Sequence, residues 1–188
     1  MKNTGVCPKC ASMDIRVLRQ RTWATMIPIK RTIFGAVYTS WFICASCGFV
    51  LYMDPKVAVG TIIRARGDRL VLVRRAIEPG YGLWVFPGGY VDRGEVITAA
   101  ALREAKEESG LDVRLDGLIN IYSYPGRAPI IVVYAATMLG GELCGDDECL
   151  EARLFTPAEI PWDGLAFRST TEALRDYLDG HWHHREPA

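Results

Sequence analysis

Three carboxylates within five residues are the part of this chain whose types and spacing could do chemistry. Glu104, Glu107 and Glu108 stand at positions i, i+3 and i+4, which share one face of a helix. Three negative charges on one face repel each other, so the cluster is favourable only beside a counter-charge. Oxygen ligands of this kind suit Mg²⁺ or Mn²⁺ rather than Zn²⁺. The spacing therefore predicts a site for a hard divalent cation.

The residues around the cluster predict the elements that position it. Residues 83–86 form a short apolar strand, and Gly88 and Gly89 then permit an unusually close approach of the backbone. Glu95 stands near the start of the helix, where the helix dipole favours negative charge. Gly110 is placed to end the helix. The segment therefore reads as a glycine-rich turn followed by a helix with an acidic last turn, where a cation is needed.

This segment resembles the Nudix box, the pattern G-x5-E-x7-R-E-U-x-E-E-x-G-U in which U is apolar. The fixed positions are filled by Gly89, Glu95, Arg103, Glu104, Glu107, Glu108 and Gly110, and the apolar positions by Ala105 and Leu111. The alternative, a solvated acidic surface helix, requires none of the flanking glycines. The resemblance covers residues 55 to 179 and implies the Nudix fold, an α/β/α sandwich with a mixed sheet.

The resemblance implies hydrolysis of a nucleoside diphosphate linked to a further group X. The implied Mg²⁺ or Mn²⁺ ligands are Glu104, Glu107, Glu108, the backbone carbonyl of Gly89, and Glu151. Arg103 is expected to pair with Glu95 and align the carboxylates, although simple charge balance is an alternative role. Glu151 also fits a surface acid on a strand edge. The general base stays open among Glu107, Glu108 and the later carboxylates Asp147, Glu148 and Glu151.

Two C-x-x-C pairs precede this region. Cys7 with Cys10, and Cys44 with Cys47, could close a tetrahedral zinc site without an open position for water, so the zinc would be structural. A disulfide or a redox pair is the alternative. The pattern resembles a zinc ribbon. We therefore expect three segments: a zinc ribbon over residues 1–53, a Nudix hydrolase domain over residues 54–180, and a polar tail over residues 181–188.

The combination of ribbon and Nudix box resembles a subgroup that includes NADH, FAD and ADP-ribose diphosphatases. The NADH enzymes carry a Ser-Gln-Pro-Trp-Pro-Phe-Pro array, whereas this chain has Tyr-Ser-Tyr-Pro-Gly-Arg at residues 122–127. ADP-ribose or FAD, cleaved to release AMP, is therefore the preferred substrate. The alternatives are an NADH diphosphatase, a nucleotide-pool or RNA-cap hydrolase, and a nucleotide sensor with a nucleic-acid-binding ribbon. Sensors in this family usually lose box carboxylates, and this chain retains them.

Aromatic and cationic side chains would hold the base and the X group. The candidates are Tyr81, Tyr124, Arg127 and Phe167. Each of these residue types is also common in a core or on an ordinary surface, so their roles depend on where the fold places them.

Charge is distributed unevenly along the chain. Residues 1–53 carry seven lysines and arginines against the single Asp14, a net charge of +6, and the rest carries −6 because the whole is neutral. Attraction between the two parts, within one chain or across a homodimer, explains this better than nucleic-acid binding, because no basic and aromatic stripe is present. The expected partner is a small-molecule nucleotide.

Neither a signal peptide nor a membrane span is expected. Cys7 and Cys10 precede any apolar signal segment, and the uncharged residues 32–53 contain polar residues and a C-x-x-C pair. We therefore expect a cytoplasmic protein.

The remaining pattern predicts strands and a final helix. A hairpin is expected from residues 57–64 and 69–74, and further strands at 111–118, 130–139 and 152–155. A capping box over residues 169–172 is expected to start the last helix. Its predicted buried face consists of Ala173, Leu174, Tyr177 and Leu178, and Gly180 is its predicted stop.

Overall fold

The computed structural model describes residues 9–10, 15–18, 41–44, 46–52, 55–144 and 148–184. The chain forms two compact units, Met1–Asp54 and Pro55–Ala188. The first unit contains a three-stranded antiparallel sheet of β1 (Ile15–Leu18), β2 (Trp41–Cys44) and β3 (Val50–Tyr52), with β2 in the centre. In the parts of the chain that the structure describes, no helix is both long and apolar enough to cross a membrane.

The second unit is built on a seven-stranded mixed sheet. Its strands are β4 (Val57–Arg64), β5 (Leu70–Arg75), β6 (Trp84–Val85), β7 (Leu111–Tyr122), β8 (Ile130–Gly141), β9 (Cys149–Phe155) and β10 (His183–His184). The order is β10-β7-β8-β4-β5-β6, and β9 pairs with β5. Only β4 and β8 pair in parallel among these strands. The predicted strands are present, and β7 and β8 run further than their apolar patterns indicated.

Successive residues of a strand point to opposite faces of the sheet, so the strands present apolar side chains on both faces. One helix covers each face. Helix α1 (Ile97–Ser109) buries Ala100 and Ala101 against Val59 of β4 and Val132 of β8. Helix α2 (Arg168–Leu178) packs on the other face, where Leu174 joins a core cluster with strand residues. Small alanines let α1 approach the sheet closely. The expected Nudix fold, a mixed sheet between helices, is confirmed.

The β4–β5 hairpin opens at its far end to admit a loop. The two strands pair at Arg64 and Leu70. Beyond that point the loop that follows β6 runs beside β4, where the Thr61 N–H donates to the Pro87 carbonyl at 2.9 Å. Gly60 leaves room for the ring of Phe86, which any side chain at residue 60 would strike. The splayed hairpin therefore fixes the glycine-rich loop against the sheet.

The start of α2 differs from its prediction. The predicted capping box is wrong, because the chain enters the helix from Phe167 and no side chain caps its first turn. Ser169 and Thr170 are instead buried in that turn. Glu172, the expected capping acid, binds Tyr124 and Arg168. Packing of this turn on the core therefore outweighs the local capping signal.

The end of α2 and the tail also differ from expectation. Ala173 and Leu174 are buried as predicted, but Leu178 is 38% exposed. The helix ends at Leu178, and Gly180 follows with φ of 73°. The segment expected to be a polar tail includes β10, which pairs with Gly117 and Leu118 at the edge of the sheet. Backbone pairing with β7, which the polar composition did not indicate, orders this segment.

Candidate active site

Helix α1 carries the acidic cluster and ends sharply. Gly110 adopts a left-handed φ of 71°, and its N–H donates to the Lys106 carbonyl at 2.9 Å. A Cβ at this position would overlap the Glu142 carbonyl and the Cys144 sulfur. Glycine is therefore required here by both conformation and space, and it turns the chain directly into β7.

The glycine-rich loop is bonded to β4 and to the acidic cluster together. The Val59 N–H donates to the Gly89 carbonyl at 2.8 Å. The Gly88 N–H donates to Glu108 Oε2 at 2.7 Å. A Cβ on Gly89 would stand 2.6 Å from the carboxyl carbon of Glu104. The loop therefore lies directly on the acidic face of α1, which is the arrangement that the two glycines predicted.

Arg103 joins three carboxylates. Its guanidinium donates two hydrogen bonds of 2.9 Å to Glu95, one of 2.7 Å to Glu104 and one of 2.9 Å to Glu107. A further bond of 3.3 Å reaches the Tyr90 carbonyl. The planar fork suits such multiple carboxylate contacts. The expected Arg103–Glu95 pair is present in this geometry, together with contacts to two members of the cluster.

The carboxyl groups differ in their electrostatics. The hydrogen bonds from Arg103 and from the Asp92 N–H lower the pKa of Glu95 to about 2. Burial raises the pKa of Glu104 above its ordinary value, in spite of the bond from Arg103. Its side chain is 12% exposed, whereas that of Glu107 is 54% exposed. Burial therefore disfavours the charged form of Glu104 more than the bond from Arg103 favours it.

The donor set fits a hard divalent cation. All the candidate donors are oxygens, and the charged form of the Glu104 carboxyl would gain from a nearby cation. The Gly89 carbonyl keeps a second lone pair beside its bond to Val59. Within the described residues, Glu104, Glu107 and Glu108 do not all bring oxygens within 4.8 Å of one another. Arg103 occupies part of the space among them.

The later carboxylates lie on another strand. Glu151 is exposed on β9, with its Cα opposite that of Arg74 on β5. Glu148 precedes β9, and its carbonyl accepts the Ala76 N–H at 2.7 Å. Asp147 lies outside the described residues. The role of Glu151 as a metal ligand stays a prediction.

Two of the four predicted substrate contacts lie beside α2. The Tyr124 hydroxyl donates to Glu172 at 2.7 Å, and the Arg168 guanidinium stands 4.8 Å from the Tyr124 ring centre. Phe167 packs under the Arg75 guanidinium at 5.1 Å. Both aromatic residues are partly buried against the same core cluster. Each therefore has a structural role that does not exclude contact with a ligand.

The other two predicted contacts lie on exposed turns. Tyr81 is 57% exposed between β5 and β6, and the preceding Gly80 lies close to Ala166. Arg127 is exposed in the turn after β7, where its N–H donates to the Tyr124 carbonyl at 3.1 Å. Their roles in substrate binding stay predictions.

Three of the four predicted zinc cysteines lie together in the first unit. The sulfur atoms of Cys10, Cys44 and Cys47 are all within 4.8 Å of one another, and Cys7 lies outside the described residues. Burial opposes ionisation of Cys44, but hydrogen bonds from the backbone of Cys47 and Ser46 and from the Cys10 thiol lower its pKa to about 6. Sulfur ligands with this geometry fit zinc.

Sequence reasoning missed two contacts of the glycine-rich loop. One is the bond from the Gly88 N–H to Glu108 described above. The other places the Lys56 ammonium 4.5 Å from the centre of the Tyr90 ring. Tyr90 occupies a variable position of the motif, so the pattern of fixed residues drew no attention to it. Its place directly after Gly88 and Gly89 was the available signal.

Comparison with known proteins agrees with this geometry. The NUDIX domain family matches residues 54–175. An ADP-ribose pyrophosphatase from Methanocaldococcus jannaschii is 36% identical over 132 residues, which are 68% of this chain and 76% of that protein. An NAD-capped RNA hydrolase NudC from Edwardsiella ictaluri is 29% identical over 58% of this chain, but this match spans only 42% of that longer protein.

Solved structures give the same result. A NUDIX hydrolase from Nitrosomonas europaea superposes with a TM-score of 0.76 at 30% identity, covering 93% of this chain and 90% of that one. An ADP-ribose pyrophosphatase from Streptococcus suis superposes with a TM-score of 0.57 at 27% identity, covering 68% and 92%. The loop, the helix and the acidic cluster thus stand in a matching fold, and this chain belongs to the Nudix hydrolase family.

Proposed function

We propose that the protein hydrolyses the diphosphate bond of ADP-ribose, or of a similar adenosine diphosphate linked to a group X, and releases AMP. The observation that carries this proposal is the intact acidic cluster of α1 held against the Gly88–Gly89 loop. Similarity to two proteins named ADP-ribose pyrophosphatase supports the choice of substrate.

Glu104, Glu107 and Glu108 would hold Mg²⁺ or Mn²⁺ in this reaction, and Glu151 is a candidate for a further ligand. The bound cation would neutralise phosphate charge and lower the pKa of a water ligand. The protein holds the metal-binding carboxylates in position. Arg103 holds Glu104 and Glu107 in fixed orientations, and the Gly88 N–H holds Glu108. Little covalent chemistry is required of these side chains.

The carboxylates also differ in how easily substrate and water can reach them. Glu107 is half exposed, so substrate and solvent can reach it, whereas Glu108 is 7% exposed and bonded to the loop. We infer that Glu107 is better placed to act as the general base. Its present bond to Arg103 would have to break for that role, because it occupies one of the two carboxylate oxygens.

Hydrolysis of NAD-capped RNA or NADH is a second candidate because of the similarity to NudC. For the cysteine cluster we propose a structural zinc, held by Cys10, Cys44, Cys47 and by Cys7. A disulfide involving these thiols would compete with that zinc.

A hydrolysis panel with Mg²⁺ and with Mn²⁺ tests the proposal. The panel comprises ADP-ribose, FAD, NADH, NAD⁺ and NAD-capped RNA, and the readout is AMP or the decapped RNA. We expect AMP from ADP-ribose, and a loss of at least about 100-fold in Glu107→Gln, since even groups that only orient metal ligands cost 10–100-fold when removed. Turnover of NADH or capped RNA in preference to ADP-ribose would reject the proposed substrate.

Asp163→Asn is the matched control for the lost carboxylate. Asp163 lies in a short 3-10 helix, Trp162–Gly164, more than fifty residues after the acidic cluster in the sequence. It should retain wild-type turnover. Equal losses in both variants would indicate damage to the fold rather than to the metal site.

A further inference from the structure

An exposed aromatic and cationic pair stands beside the acidic cluster. The Lys56 ammonium is 4.5 Å from the centre of the Tyr90 ring, and Tyr90 is 50% exposed. Among the residues that the structure describes, no carboxylate forms an ion pair with Lys56. An unpaired cation over an accessible aromatic face is suited to a ligand that is both anionic and planar.

The backbone fixes the Tyr90 side chain on one face of the sheet. Tyr90 pairs with Ala58 of β4 in an antiparallel bridge. Two bonds flank the pair: Val59 N–H to the Gly89 carbonyl at 2.8 Å, and Val91 N–H to the Val57 carbonyl at 3.0 Å. In such a pair the opposed side chains lie close together on the same face. The Tyr90 ring is therefore positioned by secondary structure rather than by a free loop.

That face is the one opposite α1. Val57 and Val59 pack toward α1, so the alternating residues Lys56 and Ala58 point to the α2 side. The Ile131 Cα stands in register with Ala58, and on the next strand Tyr122 stands in register with Ile131. Ala58 and Ile131 are partly exposed and form an apolar floor on two strands, and the buried Tyr122 bounds it on the third strand, about 10 Å across the three at the usual strand spacing. The ring of a base can lie on this floor.

The floor is held firmly at its far side. The Tyr122 hydroxyl donates to Asp176 of α2 at 2.7 Å, and burial followed by this bond raises the pKa of the phenol. The near side meets the glycine-rich loop next to the acidic cluster, because the Tyr90 carbonyl accepts a bond of 3.3 Å from Arg103, which also binds Glu104. A nucleotide with its diphosphate at the acidic cluster can thus extend its base across this floor.

We propose that Lys56 and Tyr90 form the subsite for the AMP half of the substrate. The adenine stacks on the Tyr90 ring over the floor, and the Lys56 ammonium binds an oxygen of the adenosine phosphate. The proposal rests on the proposed function for the direction of the substrate. Both residues bind and orient the substrate and neither transfers a proton.

Equilibrium binding of AMP in the presence of Mg²⁺ tests this subsite without turnover. Removing a stacking aromatic weakens the binding of a base by about 5- to 150-fold, so Tyr90→Ala should weaken AMP binding by roughly tenfold or more. Tyr90→Phe keeps the ring and should bind as wild type does. Lys56→Met should weaken AMP binding but leave adenosine binding unchanged. Arg66→Met, in the turn after β4, and Leu139→Ala are controls for exposed charge and exposed apolar surface.

Steady-state kinetics with ADP-ribose tests the AMP subsite separately from the proposed hydrolysis of ADP-ribose. Tyr90→Ala should raise KM and leave kcat unchanged, since the stacking contact contributes equally to the binding of the substrate and of the transition state. If the wild type binds AMP through Tyr90 but does not cleave ADP-ribose, the proposed function fails and the subsite stands. If ADP-ribose is cleaved but AMP binding and KM are unchanged in Tyr90→Ala, the subsite is wrong. A loss of ribose 5-phosphate binding instead of AMP binding would also overturn it.

Discussion

Glu108, near the end of α1, accepts the backbone N–H of Gly88 at 2.7 Å and so connects the acidic helix to the glycine-rich loop twenty residues earlier. Glu108 is 7% exposed, and this bond satisfies part of a buried carboxylate. The same loop is bonded to β4 on its other side. The position of the acidic face relative to the sheet therefore depends on backbone contacts of the loop as much as on the helix.

Gly88→Ala should destabilise the protein and lower its activity together. The new Cβ would overlap the Val59 carbonyl oxygen and stand 2.7 Å from the Gly60 Cα, and these are backbone atoms that cannot rotate away. Overpacking of this kind costs about 1–3 kcal/mol in the free energy of unfolding, measured by urea titration. Gly140→Ala is the matched control, because a Cβ there meets nothing within 4 Å. Wild-type stability in Gly88→Ala would show that the loop is not held as described.

The Arg103–Glu95 pair predicts a specific dependence of stability on pH. The pKa of Glu95 is lowered to about 2 from 4.5, mainly by the hydrogen bond from Arg103. Because this pKa is lower in the folded state, the contribution of the ion pair to the free energy of unfolding is fully present above the pKa of the unfolded state. That contribution is lost as the pH falls toward the pKa of the folded state. Glu95→Gln should therefore be less stable than wild type at pH 7, and the difference should shrink between pH 4.5 and 2.

Denaturant unfolding of both proteins at several pH values checks this prediction. Glu78→Gln provides the comparison, since the bond that its carboxylate accepts comes from the Gly80 N–H on an exposed turn. A difference between wild type and Glu95→Gln that stays constant down to pH 2 would contradict the assigned role of the ion pair.

The sequence predicted the local parts of this site more successfully than the parts that depend on distant contacts. The Arg103–Glu95 pair, the close approach at Gly89 and the stop at Gly110 follow from spacing and residue type, and all three are present. The Gly88–Glu108 bond depends on where β4 places the loop. The surroundings of Glu151 depend on the register between β5 and β9, which shifts between Arg74 and Arg75. Such pairings leave no periodic signal in the sequence.

The start of α2 shows how tertiary packing can override a local signal. Residues 169–172 match a capping box, yet Ser169 and Thr170 are buried inside the helix. The Glu172 carboxylate, which the capping box would use, accepts the Tyr124 hydroxyl at 2.7 Å. The hydroxyl of Tyr124, just after the end of β7, thus outweighs a weak side-chain cap, and only the assembled fold brings it to Glu172.

The cysteine cluster predicts one tightly bound zinc ion per chain. Cys10 and Cys44 have sulfur atoms 3.6 Å apart, and Cys47 completes a close group of three. We expect metal analysis of the purified protein to find about one equivalent of zinc, as a closed thiolate site binds a single ion. Cys44→Ser should reduce that content, whereas Cys149→Ser on β9 should not. Stoichiometric disulfide in the freshly purified protein would instead support the redox alternative.

Thr170 offers a stability test that is independent of the chemistry. Its Oγ1 is buried and has no hydrogen-bond partner among the described residues, whereas the buried Thr61 Oγ1 donates to the Ala101 carbonyl at 3.2 Å. Valine has nearly the same shape as threonine and lacks the hydroxyl. Because an unsatisfied buried polar group costs about 1–3 kcal/mol, Thr170→Val should raise the free energy of unfolding by up to that amount. Thr61→Val should lower it by about 1 kcal/mol, since it removes a bond that is made. Urea unfolding of the two variants and the wild type measures both changes in the free energy of unfolding. A loss of stability in Thr170→Val would show that the Thr170 hydroxyl has a hydrogen-bond partner.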